Sequence, residues 1–359
     1  MNPSFTIKDV ARLAGVSTAT VTRVLHGSGY VSEATRKRVE EVLAQTGYQV
    51  NAMAQGLKSQ RHRLIGHLVN SLIPNPYCAS VAYGVEREAR RRGYDVLIFD
   101  MNDDEERERT GVEALLRRRP DAIIFTAPIR AENVALAAAS GTPVVQVERI
   151  TETPSHGVAV DNRRGSFEAT LHLIELGHRH IAFLGGQQLV HAKRSVEHER
   201  LAGFRDAMER HGLPVDERLV VLARYFVFDA NDENGFGAGL GSVGYRRTQA
   251  LLRTDPRPTA IFAASDLFAT GALQAIHEAG LRVPADISVV GYDNTLAPFL
   301  SPPLTTVALP LLDMGLVAAE LALAAAEERA TGATPAPPRV EHLTTRLLLR
   351  QSTAPAPGK

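Results

Sequence analysis

Cysteine is the residue that this sequence most conspicuously lacks, because Cys78 is the only one among 359 residues. One cysteine cannot form an intrachain disulfide or a cysteine-rich metal site, which fits a reducing compartment. The sequence also lacks an uncharged apolar run near the roughly 18 residues that a membrane span needs, and its first residues do not follow the pattern of a signal peptide. We therefore expect a cytoplasmic protein that has no membrane partner.

Net charge is absent too, because 40 basic residues balance 40 acidic ones, but the two signs are unevenly placed. Residues 1–63 carry nine Lys or Arg against four Asp or Glu, which leaves 31 against 36 for the rest. A small basic segment attracts a phosphate backbone, whereas an acidic body resists lying along DNA. With 44% hydrophobic content, a chain of this length is long enough for roughly two or three folding units.

The N-terminal segment predicts three short helices. Thr6 and Asp9 form a capping box at the start of the first helix. Gly15 then supplies a residue that can take positive φ, and Ser17 can cap the second helix. A third helix should span about 32–47. Three helices with a glycine turn between the first two indicate a helix-turn-helix, in which the second helix enters the major groove of DNA, although a purely structural bundle has the same pattern.

The predicted second helix has one apolar side and one side of short or charged residues. Val21, Val24 and Leu25 follow helical spacing and should be buried. The opposite side should then face outward, and its side chains are suited to a DNA groove: Thr18, Ala19, Thr22 and Arg23.

The residues themselves add a resemblance to this pattern. The run FTIKDVARLAGVSTATVTRVLHGSGYVSEATRKRVEEVLAQTGYQVNAMAQGLKS closely resembles the head of the lactose/galactose repressor family, with DVA-x-x-AGVS-x-x-TV-x-RVL followed by VS-x-x-TR-x-x-V. The resemblance implies that Thr18, Ala19 and Arg23 read base edges, and arginine suits guanine through two parallel hydrogen bonds. The DNA-binding residues that we predict by this resemblance are Thr6, Ser17, Thr18, Ala19, Thr20, Thr22, Arg23, Asn51, Ala54 and Leu57.

The last three residues of that set belong to a segment that resembles the family's hinge helix. The resemblance implies that Leu57 enters the minor groove between two base pairs, with Ala54 one helical turn before it. Gly56 disfavours so short a helix, so we expect coil unless DNA and a partner hinge support it. The predicted domains are a helix-turn-helix domain at 1–49, a hinge at 50–62, and an effector-binding and dimerisation domain at 63–359.

From residue 63 onward, apolar runs alternate with amphipathic stretches, as in LIGHLV, YDVLIFD, DAIIFTA, HIAFLGG and DISVVGYD. Alternation of strand and helix predicts parallel sheets with helices on both faces. Ligands of such sheets lie at the carboxyl ends of the strands, and here those ends are polar. Carboxylates and an arginine in a cleft can bind hydroxyl groups or carry out acid-base chemistry, and the pattern does not separate the two.

The body also resembles this repressor family and its relatives, the periplasmic sugar-binding proteins, through NPY, VDN, LGHRHIAFLGG, PTAIFAASD, LRVPADISVVGYDNT and PPLTTV. The resemblance implies two lobes joined by three crossing strands, with lobe 1 at about 63–161 and 295–325 and lobe 2 at about 162–292 and 326–350. The effector-binding residues that it implies are Asn75, Tyr77, Arg149, Arg200, Asp266 and Asp293. Their chemistry suits a sugar-like polyol, although each one can instead form an interlobe salt bridge or cap a strand end.

One motif points elsewhere. Residues 239–244 read GLGSVG, a literal G-x-G-x-x-G that could indicate an NAD-dependent oxidoreductase. The run Asp229–Ala238 separates it from the preceding apolar stretch, whereas a dinucleotide site needs its first glycine at a strand end. We therefore interpret 229–244 as a flexible insertion, and predict no cofactor, no metal site and no catalytic residue.

Together these patterns predict a non-enzymatic transcriptional repressor. A homodimer would bind a roughly palindromic double-stranded operator, and a small effector in the cleft would change the lobe arrangement so that the hinges hold or release DNA. A cytoplasmic sugar-binding protein without a regulatory role is the other alternative that we carry forward.

Overall fold

The structure is a computed structural model that describes residues 5–48, 62–73, 76–187, 195–223 and 242–358. The chain divides into two compact units, Met1–His62 and Arg63–Lys359, which we call the head and the body. The predicted hinge at 50–62 lies outside the described residues, apart from His62.

The described part of the head contains α1 (Ile7–Ala14), α2 (Thr18–His26) and α3 (Glu33–Thr46). The predicted capping box of α1 is confirmed, because the Asp9 amide donates to Thr6 Oγ1 at 3.3 Å and the Thr6 amide donates to Asp9 Oδ2 at 3.0 Å. Gly15 takes the predicted left-handed conformation at φ 61°. The apolar faces of the helices meet in a small core made of Val10, Ala11, Ala14, Val21, Val24, Val39 and Val42.

The body alternates strands and helices along its described length. The strands are β1 (Leu64–Val69), β2 (Asp95–Asp100), β3 (Ala122–Thr126), β4 (Val144–Val147), β5 (His156–Val160), β6 (Ile181–Gly186), β7 (Val220–Ala223), β8 (Ala260–Ala263), β9 (Ser288–Asp293), β10 (Thr305–Ala308), β11 (Val340–Leu343) and β12 (Arg346–Leu348). The helices are α4 (Pro76–Arg91), α5 (Glu105–Leu116), α6 (Ala131–Ala139), α7 (Asn162–Glu175), α8 (Val196–Arg210), α9 (Ser242–Leu251), α10 (Asp266–Glu278) and α11 (Leu311–Thr331).

The strands form two six-stranded sheets. The first has the order β11-β5-β4-β3-β1-β2 and the second has the order β12-β10-β9-β8-β6-β7. Every pairing is parallel except that of β10 with β12. On β3, Ile124 packs into one apolar cluster, whereas Ile123 and Phe125 pack into another. Both faces of this sheet are therefore covered, which explains why β3 reads as a continuous apolar run. The predicted α/β two-lobed fold is confirmed.

The chain crosses between the sheets after β5, after β10 and after β11. This corrects the predicted lobe boundaries, because β10 lies within 295–325 but belongs to the second sheet, and β11 lies within 326–350 but belongs to the first. The Asp266 carboxylate explains the first difference, since it accepts hydrogen bonds from the Leu296 and Ala297 amides and so holds this segment on the second lobe. Parallel pairing of β11 with β5 explains the second.

Across the described ranges, no helix is both long enough and apolar enough to span a bilayer.

Candidate functional site

One candidate site is the exposed side of α2 in the head. Ser17 caps this helix by accepting the Thr20 amide at 3.2 Å, and Val21 and Val24 fix its inner side. Thr18, Ala19, Thr22 and Arg23 are all exposed, as the sequence predicts, and Thr20 is half-buried. This places short polar and methyl-bearing side chains beside one guanidinium group on the exposed side of α2.

The threonines on α2 also shape the backbone. The Thr22 hydroxyl donates to the Thr18 carbonyl at 2.9 Å, and Ser17 Oγ lies 3.0 Å from Thr20 Oγ1. Thr6 is exposed at the start of α1, where its hydroxyl bonds Asp9. The remaining predicted DNA-binding residues, Asn51, Ala54 and Leu57, lie outside the described residues.

A second candidate site is a cavity of about 70 Å³ in the body, between the carboxyl ends of the strands. Its wall contains four of the six predicted effector residues: Tyr77, Arg149, Arg200 and Asp293. Asn75 lies outside the described residues. The cavity is also lined by residues outside our predicted effector set: Asn70, Ser71, Cys78, Ala127, Glu148, Val196 and Glu197.

Asp266 does not line the cavity, so this predicted effector residue is reassigned. Its side chain is fully buried, and it accepts from the Thr306 hydroxyl at 2.7 Å as well as from two loop amides at 3.0 Å. Burial raises the pKa of this carboxyl, while these hydrogen bonds oppose the rise. Asp266 therefore anchors the loop that follows β9 instead of facing a ligand.

Arg200 is held rigidly on the second lobe. Its Nε donates to Asn162 Oδ1 at 2.9 Å, its Nη1 donates to the Ala264 carbonyl at 2.8 Å, and its guanidinium lies 4.0 Å from the Tyr292 ring centroid. These contacts direct Nη2 toward two carboxylates, Asp293 at 3.4 Å and Glu148 at 3.6 Å. The Glu148 contact crosses from the second lobe to the first.

Arg149 makes the reciprocal contact from the first lobe. Its Nη2 lies 3.3 Å from Glu197 Oε1 on α8, and its Nη1 donates to the Pro128 carbonyl at 2.9 Å. The loop that carries Pro128 is fixed by Glu108, a fully buried carboxylate that accepts from the Ile129 and Arg130 amides. The structure thus bears out the interlobe salt bridge that the sequence left as an alternative for Arg149 and Arg200.

Burial is the largest cause of the raised pKa values of Tyr77, Cys78 and Glu148 in the cavity wall. It raises the pKa of Glu148, although Arg200 and Arg149 oppose the rise. It also raises the pKa of the Cys78 thiol to about 12, so this side chain stays protonated near neutral pH. Within the described ranges, no cluster of three or more His, Cys, Asp or Glu side chains is arranged to hold a metal ion.

Three non-glycine residues of the cavity wall have left-handed backbone: Ala127 at φ 55°, Glu148 at φ 70° and Asp293 at φ 101°. Such conformations are uncommon for side-chain-bearing residues, and each costs about 1–3 kcal/mol where it is strained. Their concentration at one cavity is typical of ligand-binding positions, where the surrounding structure holds the strained turns in place.

The missed cavity residues carried partial signals in the sequence. Glu197 lies three residues before Arg200 on α8, so both side chains share one helix face. Asn70 follows β1 and Glu148 follows β4, which are strand ends where a ligand is expected. No local pattern indicated Val196 or Cys78.

A helix-turn-helix head followed by a periplasmic-binding-protein-like body defines the class of the protein, and comparisons with known proteins agree. The chain matches the model of bacterial regulatory proteins, lacI family, over residues 6–51, and that of the periplasmic binding protein-like domain over residues 170–353. It is 35% identical to the HTH-type transcriptional regulator DegA of Bacillus subtilis over 86% of this chain and 88% of that protein. It is 34% identical to the ribose operon repressor of Haemophilus influenzae over 89% of this chain and 91% of that protein.

A solved structure supports the same assignment. The lac repressor dimer bound to operator and the anti-inducer ONPF matches the fold with a TM-score of 0.79, at 29% identity, over 98% of this chain and 99% of that chain. The chain belongs to the lacI family of bacterial regulatory proteins, and the resemblance stated from its motifs is confirmed.

Proposed function

We propose that the protein is an effector-controlled transcriptional repressor that acts in the cytoplasm. A homodimer binds a roughly palindromic operator through the exposed side of α2 and the hinge, and a small polyhydroxylated effector binds the body cavity. The observation that carries this proposal is the pair of interlobe ion pairs at the cavity, Arg149 with Glu197 and Arg200 with Glu148. A ligand that engages these groups has different free energies in different lobe arrangements, which is what allosteric control requires.

The head supports the DNA-binding half of the proposal. Thr18, Ala19 and Arg23 are exposed on a helix whose inner side is fixed by packing, so they are available to base edges. Ser17, Thr20 and Thr22 lie beside them, and we propose that they contact phosphates or hold the helix start. The hinge residues Asn51, Ala54 and Leu57 complete the proposed contact set.

The cavity supports binding of the effector without chemical conversion. Its lining thiol belongs to Cys78, whose pKa is raised by burial to about 12, so a thiolate nucleophile is scarce near neutral pH. Tyr77 lines the cavity with a large side chain, and the arginines and carboxylates offer directional hydrogen bonds to hydroxyl groups. We propose that Tyr77, Arg149, Arg200 and Asp293 contact the effector.

The first experiment measures the ratio of affinities for the protein's own promoter region and for random DNA of equal length, by fluorescence anisotropy. Arg23→Ala should weaken specific binding by about 1–3 kcal/mol and reduce the ratio, since it removes a base contact. Leu57→Ala should reduce the ratio as well, because it removes the proposed wedge.

Arg12→Ala is the matched control, because Arg12 is exposed on α1 and pairs with Asp9. It should leave the ratio unchanged. Unaltered ratios for both Arg23→Ala and Leu57→Ala, or a monomer in sedimentation velocity with equal affinity for both DNAs, would refute the proposed function.

A further inference from the structure

Both arginines at the cavity already have carboxylate partners. Arg149 Nη2 lies 3.3 Å from Glu197 Oε1, and Arg200 Nη2 lies 3.4 Å from Asp293 Oδ1. Glu148 adds a third carboxyl group, 3.6 Å from Arg200. Among the described residues that line the cavity, the carboxylates therefore balance both guanidinium groups even when Glu148 is protonated, and they are in excess when Glu148 is ionised.

The N-terminus of α8, a position that often attracts anions, already carries carboxylates. Glu197 lies in the first turn of α8, beside the Ser195 cap, and Glu199 lies in the same turn. A carboxylate in the first turn already satisfies the positive end of the helix dipole. The start of α8 thus gives little reason for an anionic ligand to bind.

Two acceptor atoms in the cavity wall lack a donor within the described structure. Glu197 Oε2 and Asn70 Oδ1 are buried and make no hydrogen bond, although both residues line the cavity. Glu197 is only 6% exposed. A buried acceptor without a donor is unfavourable, so a bound ligand that brings hydroxyl or amine hydrogens gains from both atoms. A phosphate or carboxylate brings more acceptors to the same place.

We propose that the effector is a polyhydroxyl compound without phosphate or carboxylate groups, either neutral or carrying an amine, and that Glu197 is the residue that selects this class. This inference rests on the proposed function of the cavity as the effector site. Glu197 acts in two ways: Oε1 neutralises Arg149, and Oε2 accepts a hydrogen bond from the ligand. An anion is excluded because it would have to replace Glu197 beside Arg149 while remaining close to Asp293 and Glu148.

The first test uses inorganic phosphate as the probe and needs no knowledge of the natural effector. Thermal unfolding of the full-length protein is followed in phosphate and in chloride at equal ionic strength and pH. Glu197→Gln leaves Arg149 without its carboxylate, so phosphate should stabilise this variant and not the wild type. Glu197→Asp keeps the charge and should behave like the wild type.

Glu209→Gln is the matched control, because Glu209 is exposed on the same helix and does not line the cavity. Stabilisation of the wild type by phosphate to the same extent as Glu197→Gln overturns the exclusion of anions. Indifference of Glu197→Gln to phosphate overturns the selecting role of Glu197. The second test stands even when Glu197→Gln fails to fold.

The second test uses wild-type protein and sugars matched in skeleton but different in charge. Glucose, glucosamine, glucose 6-phosphate and glucuronate form one set, the corresponding galactose compounds form another, and ribose with ribose 5-phosphate forms a third. Within the set that contains the best ligand, the phosphorylated and carboxylated members should bind at least about tenfold more weakly than the neutral or amine member, by calorimetry.

The inference is overturned if an anionic member binds more tightly than its neutral parent. It is also overturned if no neutral or amine member shows detectable binding. Operator binding is measured with the same compounds, so that the regulator function and the exclusion of anions are tested separately. If an anionic sugar changes operator affinity, the regulator function stands and the inference falls. If the protein does not prefer its own promoter region at all, the proposed function itself falls.

Discussion

The exposed side of α2 and the cavity of the body are built in opposite ways. On α2, Thr18, Ala19 and Arg23 are exposed and rest on a helix that other residues hold in place. In the cavity, Arg149, Glu197, Arg200 and Asp293 are no more than 8% exposed, and each contacts another charged group. The fold of the head thus does not depend on the proposed DNA-reading side chains, whereas the proposed effector-binding side chains are buried and help to hold the body together.

Because of this difference, function and stability can be separated at one site and not at the other. An exposed side chain without buried contacts is removed at little cost in stability, usually within about 0.5 kcal/mol. When a buried ion pair loses one partner, the other partner is left as a desolvated charge, and the folded protein is strongly destabilised. Substitutions in the head should therefore separate DNA binding from folding, and substitutions in the cavity should not.

Removal of the buried Arg200 guanidinium should have a large effect on stability. Arg200→Met removes a guanidinium that contacts Asn162, the Ala264 carbonyl and Asp293, and it leaves these buried groups without their donor. We expect the free energy of unfolding to fall by about 3–5 kcal/mol in urea denaturation.

Arg205→Met on the same helix is the control, since Arg205 is exposed and its partner Glu217 is exposed as well. It should lower the free energy of unfolding by less than about 1 kcal/mol. Equal stability of the two arginine variants would contradict the difference that we expect between buried and exposed side chains.

A buried titratable group should also make the stability of the body depend on pH. His67 is fully buried in β1, where its Nε2 lies 2.8 Å from Thr126 Oγ1, and burial lowers its pKa from 6.5 to about 3. The pKa of His67 is lower in the folded protein than in the unfolded chain. The neutral His67 side chain therefore leaves the free energy of unfolding at its full value above pH 6.5, and that value decreases as the pH falls toward 3. The loss is about 1.4 kcal/mol per pH unit, or about 2 kcal/mol at pH 5.

Urea unfolding at pH 7 and pH 5 measures this loss. His67→Gln should show a pH dependence that is smaller than that of the wild type by about 2 kcal/mol. His342→Gln changes an exposed histidine on β11 of the same sheet and should keep the wild-type dependence. Equal pH dependence in the wild type and His67→Gln would show that His67 is not the acid-sensitive group.

Loss of a helix cap in the head should have a weaker effect on stability. Ser17→Ala removes the hydroxyl that accepts the Thr20 amide at 3.2 Å, which should destabilise the start of α2 by about 1 kcal/mol. Hydrogen exchange of α2 amides in the full-length protein should become roughly fivefold faster, while peptides from the body stay unchanged. Ser28→Ala, an exposed position after α2, serves as the control and should not change the exchange of α2.

The architecture of the head could be predicted from the sequence because its signals are local. The caps at Thr6, Ser17 and Ser32 lie within three residues of the amides that they accept, and the periodicity of α2 separates its inner and outer sides. The α/β class of the body could also be predicted from the sequence, because continuous apolar runs such as β3 indicate strands that are buried on both faces. The lobe boundaries could not, since pairing of β11 with β5 joins residues about 180 positions apart.

The cavity was predictable only in part, because its walls come from distant segments. Four of the six effector residues that the resemblance implied line the cavity, namely Tyr77, Arg149, Arg200 and Asp293. Asp266 has the same strand-end context as these residues, but its partners in the structure are the loop after β9 and Thr306. A carboxylate that follows a strand can anchor a loop or face a ligand, and the sequence around it is alike in both cases.

The three left-handed turns at Ala127, Glu148 and Asp293 determine how this body could be redesigned for a new ligand. Branched side chains are poorly tolerated at such φ values, so a library built at those turns would contain many destabilised variants. Val196 also lines the cavity but lies in ordinary helical backbone at the start of α8, where many residue types are compatible with the chain path. Biosensor engineering should therefore vary Val196 and leave the three turns and the ion pair of Glu197 with Arg149 intact.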